Sequence, residues 1–165
     1  MANRTYNQFA GTLERKVVKL FAKILWTDPG SGVVPTLVTS EVLNSSTSPI
    51  TINPSQGFES LTDSGGGQFV LTLGANNGGV PTYDPYVRLL NVSMTAVPAG
   101  SVAAAPIALA VNNDNVNGSS GNPSIELVTV TIDTSASPIT VSTSTVPDNG
   151  TVMYVELTLS NTTAY

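Results

Sequence analysis

Eleven carboxylates, six cations and five tyrosines are the side chains in this 165-residue sequence that can titrate; histidine and cysteine are absent. The usual proton shuttle, the soft metal ligands and the most nucleophilic side chain are therefore missing. Paired carboxylates remain as a route to hydrolysis, and a glycosidase needs two of them roughly 5–10 Å apart across a sugar. Glu126 and Glu156 fall in the two most regular C-terminal strand patterns and form the one pair worth weighing. The same pattern fits two solvated strand faces, and that is the reading adopted. Asn112–Gly118 (NNDNVNG) faintly resembles a calcium loop, but it lacks the acidic spacing and terminal Glu of such sites and reads as a polar turn. Gly65–Gly67 lies between two strand patterns, not between a strand and a helix, so it is no phosphate loop. Lys16, Lys19 and Lys23 share a charged cluster, where nothing depresses a lysine pKa for nucleophilic work. The Asn-x-Ser/Thr triplets at Asn44, Asn91, Asn117, Asn149 and Asn161 follow from the composition. These readings predict no enzyme, no cofactor and no metal.

The charge distribution points to attachment. Five of the six basic residues (Arg4, Arg15, Lys16, Lys19 and Lys23) lie in the first 23 positions, and Arg88 is the sixth. The N-terminal stretch through Trp26 carries about +4, while the remainder carries about −9. The five are candidates for docking on an acidic partner surface, with arginine forks gripping carboxylates and lysines adding longer-range attraction. An ordinary solvated strand face fits them too. Tyr6, Phe9, Phe21 and Trp26 share the region, and such rings serve either an interface or a core. The acidic body argues against nucleic acid as the main partner.

The elements that must position these residues are strands. Only 10% of residues are charged, against about 25% in ordinary soluble domains. Ser, Thr, Asn and Gly fill the deficit and suit strands and tight turns. The length suits one domain with a core that needs no disulfide. Residues 1–13 read as an extended arm and 14–165 as one domain. MANRTYNQFA has no apolar signal core, and the longest apolar run, Val102–Val111, is half a membrane span, so neither a secretory signal nor a membrane is expected. Arg15–Trp26 fits a helix or a strand, and strand is favoured. The strand reading places Val18, Leu20, Ala22, Ile24 and Trp26 on one face, with Lys19 and Lys23 on the other. GFESLT and QFVLTL around Asp63–Gly67 read as a hairpin. Tyr86–Val97, Ala103–Val111, Ser124–Asp133 and Thr151–Ser160 read as long strands, and Thr36–Val42, Ile50–Asn53 and Ile139–Ser142 as short ones. The paired SPIT motifs, at 48–51 and 137–140, read as Pro opening a short edge strand twice. The predicted fold is an all-β antiparallel sandwich, with a jelly roll as one variant, carrying an extended N-terminal arm.

Several pieces together resemble a family of small virion proteins of tailed bacteriophages. They are Gly11–Leu20 (GTLERKVVKL), Pro35–Leu37 (PTL), Ser55–Ser60 (SQGFES), Gly67–Leu73 (GQFVLTL), Tyr86–Leu90 (YVRLL) and the polar ending Leu159–Tyr165. The family pattern runs from an LE-K-VVKL strand through a PTL turn, an SKG-I-S strand and a G-Y-LTL hairpin to a Y-LL strand. The resemblance covers about half the chain. Val38–Pro54 departs from it as an insertion, Gly74–Pro85 as a longer loop, and Gln56 stands where the pattern has Lys. The resemblance implies a non-enzymatic decoration or cement protein on the capsid exterior, made in the bacterial cytoplasm. Its partner would be the major capsid protein of the same phage. A homo-oligomer is expected, a trimer before a dimer, with no nucleic-acid or membrane partner. The alternative is a head-fibre or tail-associated module that recognises host-surface glycans through Gly74–Pro85 and Asn112–Pro123.

Overall fold

The computed structural model describes residues 17–43, 49–55, 57–73, 88–99, 107–116, 123–133, 137–143 and 145–160. Their regular structure is entirely β. The strands are β1 (Val17–Thr27), β2 (Val34–Leu37), β3 (Glu41–Leu43), β4 (Ile50–Ile52), β5 (Phe58–Gly65), β6 (Gln68–Leu73), β7 (Arg88–Val97), β8 (Ile107–Asn115), β9 (Ser124–Asp133), β10 (Thr140–Thr143) and β11 (Val152–Ser160). The first sheet runs β2-β1-β11-β7, all antiparallel. The second is built around β9. β8 pairs along residues 124–131 of β9, while β6 pairs with 124–128 and β10 with 130–133. Because β8 overlaps both, β6 and β10 follow each other along the opposite side of β9, and β5 flanks β6. β3 and β4 form a separate two-stranded ribbon.

Alternation explains the two layers. In β1, Leu20, Ala22, Ile24 and Trp26 are buried; in β11, Met153, Val155, Leu157 and Leu159; in β6, Phe69, Leu71 and Leu73; in β9, Ile125 and Leu127. With a period of two, each strand gives one face to the core and the other to water. Trp26 of the first sheet meets Phe69 of the second edge to face, with centroids 6.0 Å apart, and its indole N–H donates to Met153 Sδ at 3.3 Å. That ring pair ties the layers together.

The β-sandwich and the hairpin around Asp63–Gly67 are present, as is the strand read for residues 15–26 from Val17 onward, Arg15 and Lys16 lying outside the described residues. Three expectations shift. The strand expected over Thr36–Val42 is two strands: the Val38 N–H makes the last rung with β1, donating to the Lys23 carbonyl at 2.9 Å, and the ladder stops there because the Lys23 N–H donates to Ser55 Oγ instead of returning to Val38. Of the strand expected over Ala103–Val111, residues 103–106 lie outside the described residues and 107–111 are strand; β8 runs on through Asn115, so Asn112–Asn115 belongs to it instead of a polar turn. A bulge between Val111 and Asn113 lets the ladder to β9 continue, and the Asn side chains stay exposed. Backbone pairing on a solvated edge outweighs the turn preference of asparagine. Both SPIT motifs open short strands, β4 and β10, although Ser48 lies outside the described residues. The expected arm at 1–13 and the loop Gly74–Pro85 also lie outside them.

Candidate functional site: a cleft on the outer face of the first sheet

The outer face of the first sheet is a grid fixed by register. Across β1, β11 and β7, Lys19, Thr158 and Asn91 form one row. Phe21, Glu156 and Ser93 form the next, and Lys23, Tyr154 and Thr95 the one after. Side chains directly opposite lie about 5 Å apart, and diagonal ones about 7–8 Å. Phe21 and Tyr154 therefore occupy one diagonal of a square, and Lys23 and Glu156 the other. Phe21 is 36% exposed and Tyr154 47%. Large rings on a sheet face that water can reach are the anomaly here, because the core has claimed the other face.

A flat sheet becomes concave at this point because the chain around the ribbon rises beside it. Glu41 at the start of β3 and Pro54 after β4 wall a cleft of about 340 Å³ whose floor is the grid. The wall is held to β1 at one residue. Ser55, fully buried, accepts from the Lys23 N–H at 2.9 Å and donates to the Lys23 carbonyl at 3.1 Å. Ser55 is itself fixed by its N–H donating to Asn53 Oδ1 at 2.8 Å. The Lys23 ammonium reaches Glu41 Oε1 at 2.5 Å and lies 5.8 Å from the Tyr154 ring centroid. The Glu41 hydrogen bond raises the Lys23 pKa above its ordinary value, while burial acts in the opposite direction. Next to the segment, Gly57 adopts a positive φ of 88° against buried Leu20; a Cβ there would approach Leu20 Cδ2 to 2.5 Å.

Of the five basic candidates, Arg4, Arg15 and Lys16 lie outside the described residues. Lys19 and Lys23 face outward as expected, but both are engaged within the chain. Lys19 Nζ contacts Glu156 Oε1 at 2.8 Å, and Lys23 contacts Glu41. The rings separate by face: Phe21 lines the cleft and Trp26 belongs to the core, while Tyr6 and Phe9 lie outside the described residues. Glu126 and Glu156 do not come together. They stand in different sheets, Glu126 out of phase with the core residues Ile125 and Leu127 and Glu156 with Val155 and Leu157, and so project from opposite outer faces. Tyr154, Ser93, Thr95, Glu41 and Ser55 were not legible as site residues. The strand pattern did set Tyr154 with Glu156 on the polar face of β11, and that was the available signal.

The β3–β4 ribbon is the second unusual surface. Val42 is 56% exposed, Leu43 46%, Ile50 57% and Ile52 36%. The ribbon belongs to neither main sheet, so these side chains have no layer to pack beneath. No family model, curated protein or solved structure matches this chain. The class it belongs to thus rests on its own geometry: an all-β sandwich bearing a walled cleft and an apolar ribbon.

Proposed function

We propose that this chain is a non-enzymatic structural protein of a phage virion, a decoration or cement protein that binds the outside of the assembled head and bridges neighbouring capsid subunits. The observation that carries the reading is the β3–β4 ribbon, with four large apolar side chains in water on six residues of strand. Exposed apolar surface concentrated on so small an element marks a contact with another protein. The ribbon is stiffened from below by Ser55 and by the Lys23–Glu41 pair, so little ordering is needed on docking. The resemblance of residues 11–95 to phage virion proteins supplies the partner, the major capsid protein. Lys19 and Lys23 already have carboxylate partners, so electrostatic docking falls to Arg4, Arg15 and Lys16. A homotrimer at a three-fold position would present three ribbons, and binding only the assembled shell would stabilise that shell by mass action.

Cosedimentation with emptied, expanded heads of the parent phage tests this across a salt series. Wild type should bind saturably. The Val42→Ser/Ile50→Ser double variant should lose binding at every salt concentration, and a chain lacking residues 1–16 should weaken most at low salt. Absence of saturable binding by wild type would sink the proposal.

A further inference from the structure

We propose that the cleft on the outer face of the first sheet is a saccharide site, which takes a neutral ring with Tyr154 and Phe21 as stacking platforms and Glu156, Ser93 and Thr95 as hydrogen-bonding groups. Four observations converge on this chemistry. The first is the diagonal of exposed rings, 47% and 36% accessible, with the short side chains of Ser93 and Thr95 beside it. The C–H face of a pyranose is apolar and flat, and an exposed aromatic ring complements it.

The second is charge. The cleft contains two carboxylates, and each is already matched, Glu41 by Lys23 and Glu156 by Lys19. The four charges cancel, so an ionic ligand gains no net attraction there. A carboxylate held in place by a lysine still accepts hydrogen bonds from ligand hydroxyls, and such charge-assisted bonds are the stronger kind. Ser93 and Thr95, both exposed on β7, add a hydroxyl each from the far side. The third is the backbone. β11, which forms the middle of the floor, is paired on both sides, to β1 and to β7. The strand that carries Tyr154 and Glu156 therefore offers a peptide no free ladder edge, and ligands of the floor's centre must be held by side chains. The fourth is size: about 340 Å³ lies at the small end of ligand clefts, which run from roughly 300 to 1,000 Å³, and suits one or two sugar rings.

This inference is independent of capsid docking, because the ribbon's exposed side chains are not part of the cleft. The test is a titration of ¹⁵N-labelled full-length protein with maltose, cellobiose, lactose and N,N′-diacetylchitobiose, followed by amide shifts. At least one sugar should give saturable shifts confined to residues around Phe21, Ser93, Thr95, Tyr154 and Glu156. Tyr154→Ala should weaken that binding roughly tenfold, whereas Tyr154→Phe, which keeps the ring, should stay within about threefold. An unchanged Trp26 indole signal would certify that either variant is folded. Added salt should leave the affinity unchanged. No shift with any of the four sugars, shifts located elsewhere, full binding by Tyr154→Ala, or affinity that collapses with salt would each overturn the proposal.

Discussion

Lys23 joins three parts of this molecule through separate atoms. Its backbone N–H and carbonyl bind Ser55, the carbonyl also takes the Val38 N–H, and its ammonium pairs with Glu41. Ser55→Ala leaves the Lys23 N–H without its acceptor, while the carbonyl keeps the Val38 N–H. It should cost about 1–3 kcal/mol, read as a lower urea midpoint at unchanged slope. The Lys23 pKa is raised above its ordinary 10.5 by the bond to Glu41. A group raised on folding contributes stability that is complete below its unfolded value and lost as pH rises through the folded one. The ribbon should therefore be held fully at neutral pH and loosen only above about pH 10.5. The methyl signals of Val42 and Ile50, followed in a Tyr154→Phe background to remove the neighbouring phenol, would report this, and Glu41→Gln should abolish the step. At a second junction, Thr129 is buried where β6 gives way to β10. Its N–H donates to the Gly67 carbonyl at 3.0 Å, and its hydroxyl bonds to the Gly67 and Thr145 carbonyls. Gly67 has φ +79°, and a Cβ there would collide with Thr129 Oγ1 and the Thr145 carbonyl. Gly67→Ala combines positive-φ strain with overpacking and should cost about 3 kcal/mol in the same assay.

At the scale of elements, long strands behave differently from short ones. β11 is central in its sheet and buries Met153, Val155, Leu157 and Leu159. Leu157→Ala should cost about 2–5 kcal/mol, visible as a fall in thermal midpoint. The ribbon should show the opposite behaviour. A two-stranded hairpin is marginal by itself in water, so β3–β4 depends on its anchor to β1. Its exposed side chains add little to the fold, and Val42→Ser/Ile50→Ser should change global stability by no more than about 0.5 kcal/mol per site. Stability retained while head binding is lost would separate docking from folding. Long strands such as β9 and β11 were readable because alternation over nine or ten residues leaves one face to bury. β2 and β3 were read as one strand because nothing local marks Lys23–Val38 as the last rung, which is set by distant Ser55 taking the Lys23 N–H. The C-terminal end of β8 was read too short because asparagine looks like a turn until a neighbouring strand pairs with it.

For the whole molecule, the arrangement assigns separate tasks to separate surfaces. The interior between the two sheets is apolar and crossed by the Trp26–Phe69 contact. The outer face of the first sheet carries the cleft, and the ribbon stands beside it. Loss of the core should unfold everything together, whereas changes at the cleft or ribbon should alter binding alone. The sequence by itself determined the class of fold, because period-two alternation and turn residues are local properties. It also placed Lys19 and Lys23 on the outward face of β1, since a strand's faces follow from counting residues. What only the tertiary structure decided is which outward groups meet. Phe21, Tyr154 and Glu156 are more than 130 positions apart at their extremes and become neighbours through the register of β1 on β11. Lys19 and Lys23, named from the sequence as docking candidates, pair with Glu156 and Glu41 within the chain, and Glu126 and Glu156 ended on opposite faces of the sandwich. Pairing across sheets and strands depends on long-range register, and no spacing along a single chain encodes that directly.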